Sequence, residues 1–175
     1  MYCRGSEWNK WDLHVHTPES GMANEFGGDW DEYVKCLFKR AIENHIVAIG
    51  ITDYFTIDGY KILIKDYLEN DDKLRSLFTQ EEISYIKNIA IFPNIEFRLK
   101  TIIDRSRVNY HIIFSNEVSI DDIEENFLHE IDFVCEGFPY NAPNMKKLKR
   151  RNLEEYGKSG APDKPCGVGR ADANP

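Results

Sequence analysis

Apolar and polar residues alternate along this chain in the patterns of strands and helices. Trp11–Thr17 alternates at the period of a strand, and the spacing predicts a first strand there. Trp30–Asn44 places its apolar residues on one helical face, so an amphipathic helix is expected. Ile46–Thr52 is a nearly unbroken apolar run, which is typical of a parallel strand buried on both sides. The fold is therefore expected to begin with a strand, a helix and a parallel strand.

Similar patterns continue to about residue 135. Helices are expected over Ile57–Leu68 and over Thr79–Lys87, the second of which opens close to a capping box. Strands are expected over Ile89–Glu96 and Val108–Ser115. The remaining expected elements are an extra strand at Ile102 and Ile103, a short helix from Ser119 through Phe127, and a strand over Ile131–Cys135. Strands separated by helices predict a right-handed βαβ series and an α/β fold.

Composition changes abruptly near Tyr156. Residues 157–175 contain no Ile, Leu or aromatic residue, and ten of these nineteen residues are Gly, Ala or Pro. Such a segment cannot bury enough apolar surface to order itself, so we expect it to be disordered. The genetic code assigns AT-rich codons to Ile and Asn, which are common before the change, and GC-rich codons to Gly, Ala and Pro, which dominate after it, so we hypothesise a foreign or frame-shifted tail. Residues 1–156 are therefore interpreted as the domain.

Charge and cysteine content narrow the class of protein. The formal net charge of -8 argues against broad attraction to nucleic-acid backbones. The segment 145–151 is strongly basic, and it either contacts a nucleic acid or forms the solvated basic end of a helix. Four scattered cysteines without CxxC spacing indicate reduced thiols, and no signal peptide or membrane span is evident. A cytoplasmic location is expected.

Metal-binding side chains follow three of the predicted strands. His14 and His16 lie one residue apart, so strand alternation points both imidazoles to one face. Asp53 and Glu96 end two later strands, and the carboxyl ends of parallel strands meet at one rim. His111 sits early in its own strand, where this rim argument does not apply. The sequence indicates either a metal clamp or, for His14 and His16 alone, a structural histidine pair.

Four motifs occur in a characteristic order. They are His14-Val-His16-Thr-Pro-Glu-Ser, Gly50-Ile-Thr-Asp53, Pro93-Asn-Ile-Glu96 and Tyr110-His111-Ile-Ile. Over residues 11 to about 115 the chain resembles the PHP (polymerase and histidinol phosphatase) superfamily. It is most similar to PHP domains that precede SMC-like or AAA-like ATPase modules in bacterial proteins, the TrlF-like group.

This resemblance implies a fold, a cofactor and a reaction. The fold is an incomplete (β/α)7 barrel that binds two or three Mn, Zn or Fe ions, and the reaction is phosphoester hydrolysis by a metal-activated hydroxide. His14 and His16 would hold one ion, Glu96 would bridge it to a second, and His111 would bind that second ion. Asp53 and Glu96 are the implied catalytic residues. The implied substrate is a nucleotide or nucleic-acid phosphoester, and an ATPase module is the implied partner.

The sequence also departs from the family pattern. Thr52-Asp53-Tyr54 stands where many members have Thr-Asp-His, so Asp53 either binds a metal or orients a neighbour. The late Asp and His ligands are missing, and Cys135 is either a substitute ligand or a buried structural residue. The alternative to a phosphoesterase is therefore a truncated, inactive PHP fragment that acts as a metal-binding or interaction module. A partial barrel would also expose strand edges and favour self-association.

Overall fold

A computed structural model describes residues 8–20, 26–103, 106–128, 133–135, 138–140 and 172–173 of the chain. The chain divides into two compact units. The first unit comprises Met1–Asp53, Ile57–Asn94 and Ile113–Asn116. The second comprises Tyr54–Thr56, Ile95–Ile112 and Glu117–Pro175.

The first unit begins with the predicted strand, helix and parallel strand. β1 (Lys10–Val15) and β2 (Ile46–Tyr54) pair in parallel, and α1 (Trp30–Glu43) connects them. A parallel pair needs a crossover of this kind. Asp29 caps α1 by accepting a hydrogen bond from the backbone N–H of Glu32. The predicted opening of the fold is confirmed, and β2 ends two residues later than expected.

α1 and β2 both contribute buried side chains to the core of this unit. The helix buries the face that its spacing predicts, with Tyr33, Val34, Phe38 and Ala41. The ring of Phe38 packs edge-to-face on that of Phe78, with 6.0 Å between the ring centroids. β1 and β2 approach so closely that a Cβ on Gly50 would overlap the backbone of Leu13. Only glycine fits at that position of β2.

Three helices, one more than the sequence predicts, follow β2. α2 (Asp58–Ile62) runs on into a π-helical segment (Leu63–Leu68), which matches the predicted extent of 57–68. α3 (Asp71–Leu77) is not predicted because this short, charged segment offers too few apolar residues to form a periodic face. α4 (Gln80–Ile86) begins with the predicted capping box between Thr79 and Glu82.

The long strand β3 (Ala90–Ile103) includes residues from both units. It contains Ile102 and Ile103, so the expectation of a separate extra strand there is wrong. β4 (Ser106–Ile113) pairs with β3 and follows it too closely for a helix to intervene. The alternation of strands and helices is therefore interrupted between β3 and β4.

The second unit continues with short elements. α5 (Ile120–Asp122) is capped by Ser119 as predicted, and it runs on into a π-helical segment (Ile123–Leu128). Three short strands follow: β5 (Phe133–Cys135), β6 (Phe138–Tyr140) and β7 (Asp172–Ala173). β7 lies in the segment that the sequence predicts to be disordered, whose other residues lie outside the described ones.

The secondary structure is mixed α/β. The strand order is β1-β2-β3-β7-β5-β6, with β4 attached to β3. The predicted α/β class is confirmed at this level. Among the described helices, none is both long enough and apolar enough to cross a membrane.

Candidate metal centre

The two histidines at the end of β1 lie side by side. Their Nε2 atoms are 3.1 Å apart, and their ring centroids are 4.9 Å apart. Both imidazoles therefore point the same way, as strand alternation predicts. Two imidazole nitrogens at this distance either share one proton or both direct a lone pair at a common cation.

The other ring nitrogen of His16 has a partner of its own. Ser20 Oγ lies 3.1 Å from His16 Nδ1, and Ser20 is buried. The Ser20 backbone N–H donates a hydrogen bond to the carbonyl of Thr17, which closes the loop between them. Metal-binding histidines characteristically bind the ion through one nitrogen and are oriented by a hydrogen bond at the other. Ser20 thus orients His16 so that its Nε2 faces His14.

A buried carboxylate fixes the residue that follows His16. Asp53 is 1% exposed, and its Oδ1 accepts hydrogen bonds from the Thr17 backbone N–H at 3.1 Å and the Thr17 hydroxyl at 3.0 Å. Gly59 of α2 packs so closely here that a Cβ would overlap both Thr17 and Asp53. These contacts are those of a residue that orients the His16 loop, one of the two roles that the sequence leaves open for Asp53.

The buried side-chain amide of Asn94 connects β1, β2 and β3 through hydrogen bonds. Asn94 Nδ2 donates hydrogen bonds to the Leu13 carbonyl at 2.7 Å and to Thr52 Oγ1 at 2.8 Å. Asn94 belongs to β3, Leu13 to β1 and Thr52 to β2. The Thr52 hydroxyl is also 3.2 Å from the Leu13 carbonyl. The register of β1 is therefore fixed directly beside His14.

Glu96 supplies a carboxylate from β3. Its side chain is fully buried, whereas His14 is exposed and His16 is half-buried. Glu96 belongs to the second unit, and His14 and His16 belong to the first. Proteins keep fully buried carboxylates where they are paired, hydrogen-bonded or bound to metal.

The donor set matches the chemistry of a borderline divalent ion. The two imidazoles His14 and His16 are ligands that suit Zn²⁺, and imidazole also suits Fe²⁺. The residues present therefore fit one such ion.

Other candidates from the sequence lie in β4, in β5 and just after α1. His111 lies in β4 and is half-buried. Cys135 ends β5, and its side chain lies outside the described residues, as does the basic segment 145–151. His45 adopts a left-handed backbone conformation (φ 56°) just after α1.

Three residues that shape the site were not singled out from the sequence. Ser20, Gly59 and Asn94 act through contacts that the fold creates. Ser20 lies in the first of the four sequence motifs and Asn94 lies in the third. Their membership of these motifs is the sequence signal that could have identified them.

No protein-family model, curated protein or solved structure matches this chain.

Proposed function

We propose that this chain carries a metal-dependent phosphoesterase site of the PHP type on an incomplete (β/α)7 barrel. The observation that carries the proposal is the His14–His16 pair, whose Nε2 atoms are 3.1 Å apart at the end of β1. The order of the four motifs supports the same assignment. Glu96, the buried carboxylate of the third motif, is the proposed bridging ligand, and His111 of the fourth motif is the proposed ligand of a second ion.

We assign each residue of the proposed site either a metal-binding or a positioning role. His14 and His16 bind the ion, and Ser20 orients His16. Asp53 holds the His16 loop through Thr17, so we assign it a positioning role. A divalent ion at such a site supplies a nucleophilic water at neutral pH and neutralises charge on the phosphoryl group. The proposed substrate is a nucleotide or nucleic-acid phosphoester, and the proposed setting is a cytoplasmic protein with an ATPase module.

One observation favours a second candidate, a metal-binding module without turnover. The imidazoles of His14 and His16 in the first unit lie close enough together to bind the same single ion. In-line phosphoester hydrolysis in two-metal sites uses ions roughly 3.5–4 Å apart. A site that binds a single ion would fit the second candidate better.

The test is metal content together with hydrolysis. We expect the purified protein to bind Mn, Zn or Fe and to hydrolyse p-nitrophenyl phosphate or its diester. The double variant His14→Ala, His16→Ala removes both imidazoles and is expected to lower metal affinity and turnover by about 100-fold or more. Metal content is measured by mass spectrometry and turnover by release of nitrophenol.

The matched control is His45→Asn. It removes an imidazole elsewhere, and Asn tolerates the left-handed backbone at that position. The control should keep both metal and activity. Metal without turnover in the wild type would favour the second candidate, and equal metal content in wild type and double variant would refute the site itself.

A further inference from the structure

β1 lies at the end of the strand order and pairs along one side. Among the strands that the structure describes, its partner is β2, in a parallel pairing. The other edge of such a strand presents backbone N–H and C=O groups that can pair with a further strand. Most residues of β1 are exposed, whereas most residues of β2 are buried. Within the described part of the chain, the free edge of β1 is therefore accessible to another chain.

Two exposed tryptophans lie at the start of β1. Trp8 precedes the strand and is 100% exposed, and Trp11 within it is 62% exposed. These are the largest exposed fractions among the large apolar side chains of the described residues. Trp11 also lines a groove of about 360 Å³ together with Tyr85 and Phe92. Exposed apolar groups gathered in one place mark interaction sites, and tryptophan is enriched in contacts between proteins.

The charges that flank Trp11 are opposite in sign. Lys10 and Asp12 both line a cavity beside α1, whereas Trp11 lines the separate groove, so the ring and the two charges lie on different faces of β1. This separation holds although the pairing with β2 shifts register between Lys10 and Trp11. Neither Lys10 nor Asp12 forms an ion pair with another residue that the structure describes. Both charges are therefore available to a strand that pairs with β1.

A second copy of β1 carries the matching charges. In an antiparallel pair of identical strands centred on Trp11, Lys10 of each copy lies opposite Asp12 of the other. Opposite charges directly across two strands stabilise the pair, and like charges destabilise it. A parallel alignment in register would place like charges opposite each other. β1 is thus complementary to itself in the antiparallel arrangement.

We propose that the chain forms a twofold-symmetric dimer through the free edge of β1. The two β1 strands run antiparallel, the two Trp11 rings lie side by side on one face, and two ion pairs between Lys10 and Asp12 lie on the other. A single strand of six residues makes a small interface, so the association is weak and depends on concentration. The dimer does not depend on the proposed metal site or on its activity.

Sedimentation velocity of the full chain tests the dimer over about a hundredfold range of protein concentration. The buffer contains EDTA, since the exposed His14 side chains of two copies would otherwise be able to share an ion. The sedimentation coefficient should rise towards that of a dimer as the concentration increases. Amide hydrogen exchange of residues 10–12 should slow over the same range, because strand pairing protects backbone N–H groups.

Charge reversal tests the register. Lys10→Glu places a second carboxylate opposite Asp12, and Asp12→Lys places a second ammonium group opposite Lys10. Each single variant should therefore weaken dimerisation about tenfold. The double variant Lys10→Glu, Asp12→Lys restores opposite charges across the strands and should dimerise as the wild type does. A role of either residue within its own copy alone would give no such recovery.

Trp11→Thr tests the contact between the rings. Threonine keeps a high strand propensity and removes the aromatic pair, so dimerisation should weaken about tenfold. The melting temperature of the dilute monomer should stay close to that of the wild type, because the ring is largely exposed. Tyr110→Thr is the matched control, a similar change at a 53% exposed residue of β4, and it should leave dimerisation unchanged.

Four results would overturn the inference. They are a monomer at every concentration, a dimer that forms only when metal is present, a charge-reversed double variant as weak as the single variants, and a dimer lost in Tyr110→Thr but kept in Trp11→Thr. The last result would assign the contact to a different strand. Metal content and hydrolysis of p-nitrophenyl phosphate report on the proposed function separately, and their outcome leaves these expectations unchanged.

Discussion

Thr17 and Asp53 form a deeply buried polar contact in the first unit. Both residues are 1% exposed, and the carboxylate accepts hydrogen bonds from a backbone N–H and a hydroxyl. Hydrogen bonds to a charged acceptor are stronger than neutral ones, and a buried donor that loses its acceptor is costly. The position of His16 therefore depends on a residue 37 positions away in the chain.

Replacement of Asp53 should show this dependence. Asp53→Ala leaves the Thr17 N–H and hydroxyl without their acceptor, so we expect it to lower the free energy of unfolding by about 3 kcal/mol. Asp53→Asn keeps one acceptor oxygen and should cost less. Urea unfolding monitored by circular dichroism measures both.

Thr17→Ser is the matched control because it keeps the hydroxyl and the backbone N–H. It should cost less than Asp53→Ala. If Asp53→Ala changed stability by less than about 0.5 kcal/mol, the range of ordinary surface substitutions, the positioning role would be wrong.

At the scale of the elements, α4 shows how a local sequence signal becomes a measurable pH dependence. The Glu82 carboxylate accepts hydrogen bonds from the Thr79 backbone N–H at 2.7 Å and the Thr79 hydroxyl at 3.0 Å. These two bonds lower the pKa of Glu82 below its usual value. Because the folded pKa lies below the unfolded one, the contribution is fully present above the unfolded pKa and is lost as pH falls through the folded one.

Glu82→Gln should therefore flatten the acid limb of the stability curve. Between about pH 5 and pH 3 the wild type should lose more unfolding free energy than the variant does. Chemical unfolding at a series of pH values measures the difference. Glu81→Gln changes the exposed neighbour, which is not the capping-box acid, and should follow the wild-type curve; identical curves for all three proteins would contradict the prediction.

The elements that the sequence predicts correctly are those with strong local signals. α1 has a full apolar face, β2 is a continuous apolar run, and α4 has its capping box. α3 lacks an apolar face, and the pairing of β4 with β3 has no local signature. At the site, the pairing of His14 with His16 follows from strand alternation alone. The roles of Ser20, Gly59 and Asn94 depend on contacts between elements, which periodicity cannot report.

At the scale of the whole molecule, the composition change near Tyr156 makes a prediction about truncation. Deletion of residues 157–175 should change the free energy of unfolding by less than about 0.5 kcal/mol, because the segment has no Ile, Leu or aromatic residue to bury. Thermal unfolding of the full chain and the shortened chain, at equal concentration, measures this.

The strand pairing of β7 provides a reason to expect the opposite result, a loss of stability on truncation. Asp172 and Ala173 pair with β5, and Ala173 also pairs with Leu99 of β3. If these pairings contribute to stability, the shortened chain will unfold at a lower temperature. That result would show that the segment belongs to the fold despite its composition.

The hydrogen bond from Asn94 to the Leu13 carbonyl spans 81 positions of the chain. His14 and His16 are synthesised before Asn94, so the strand that fixes their register is complete only when β3 has been made. Contacts between such distant residues form late, since closing a long loop carries an entropic cost. A nascent chain that ends before residue 94 would carry both imidazoles on an unanchored β1, so high-affinity metal capture during translation should follow the synthesis of β3.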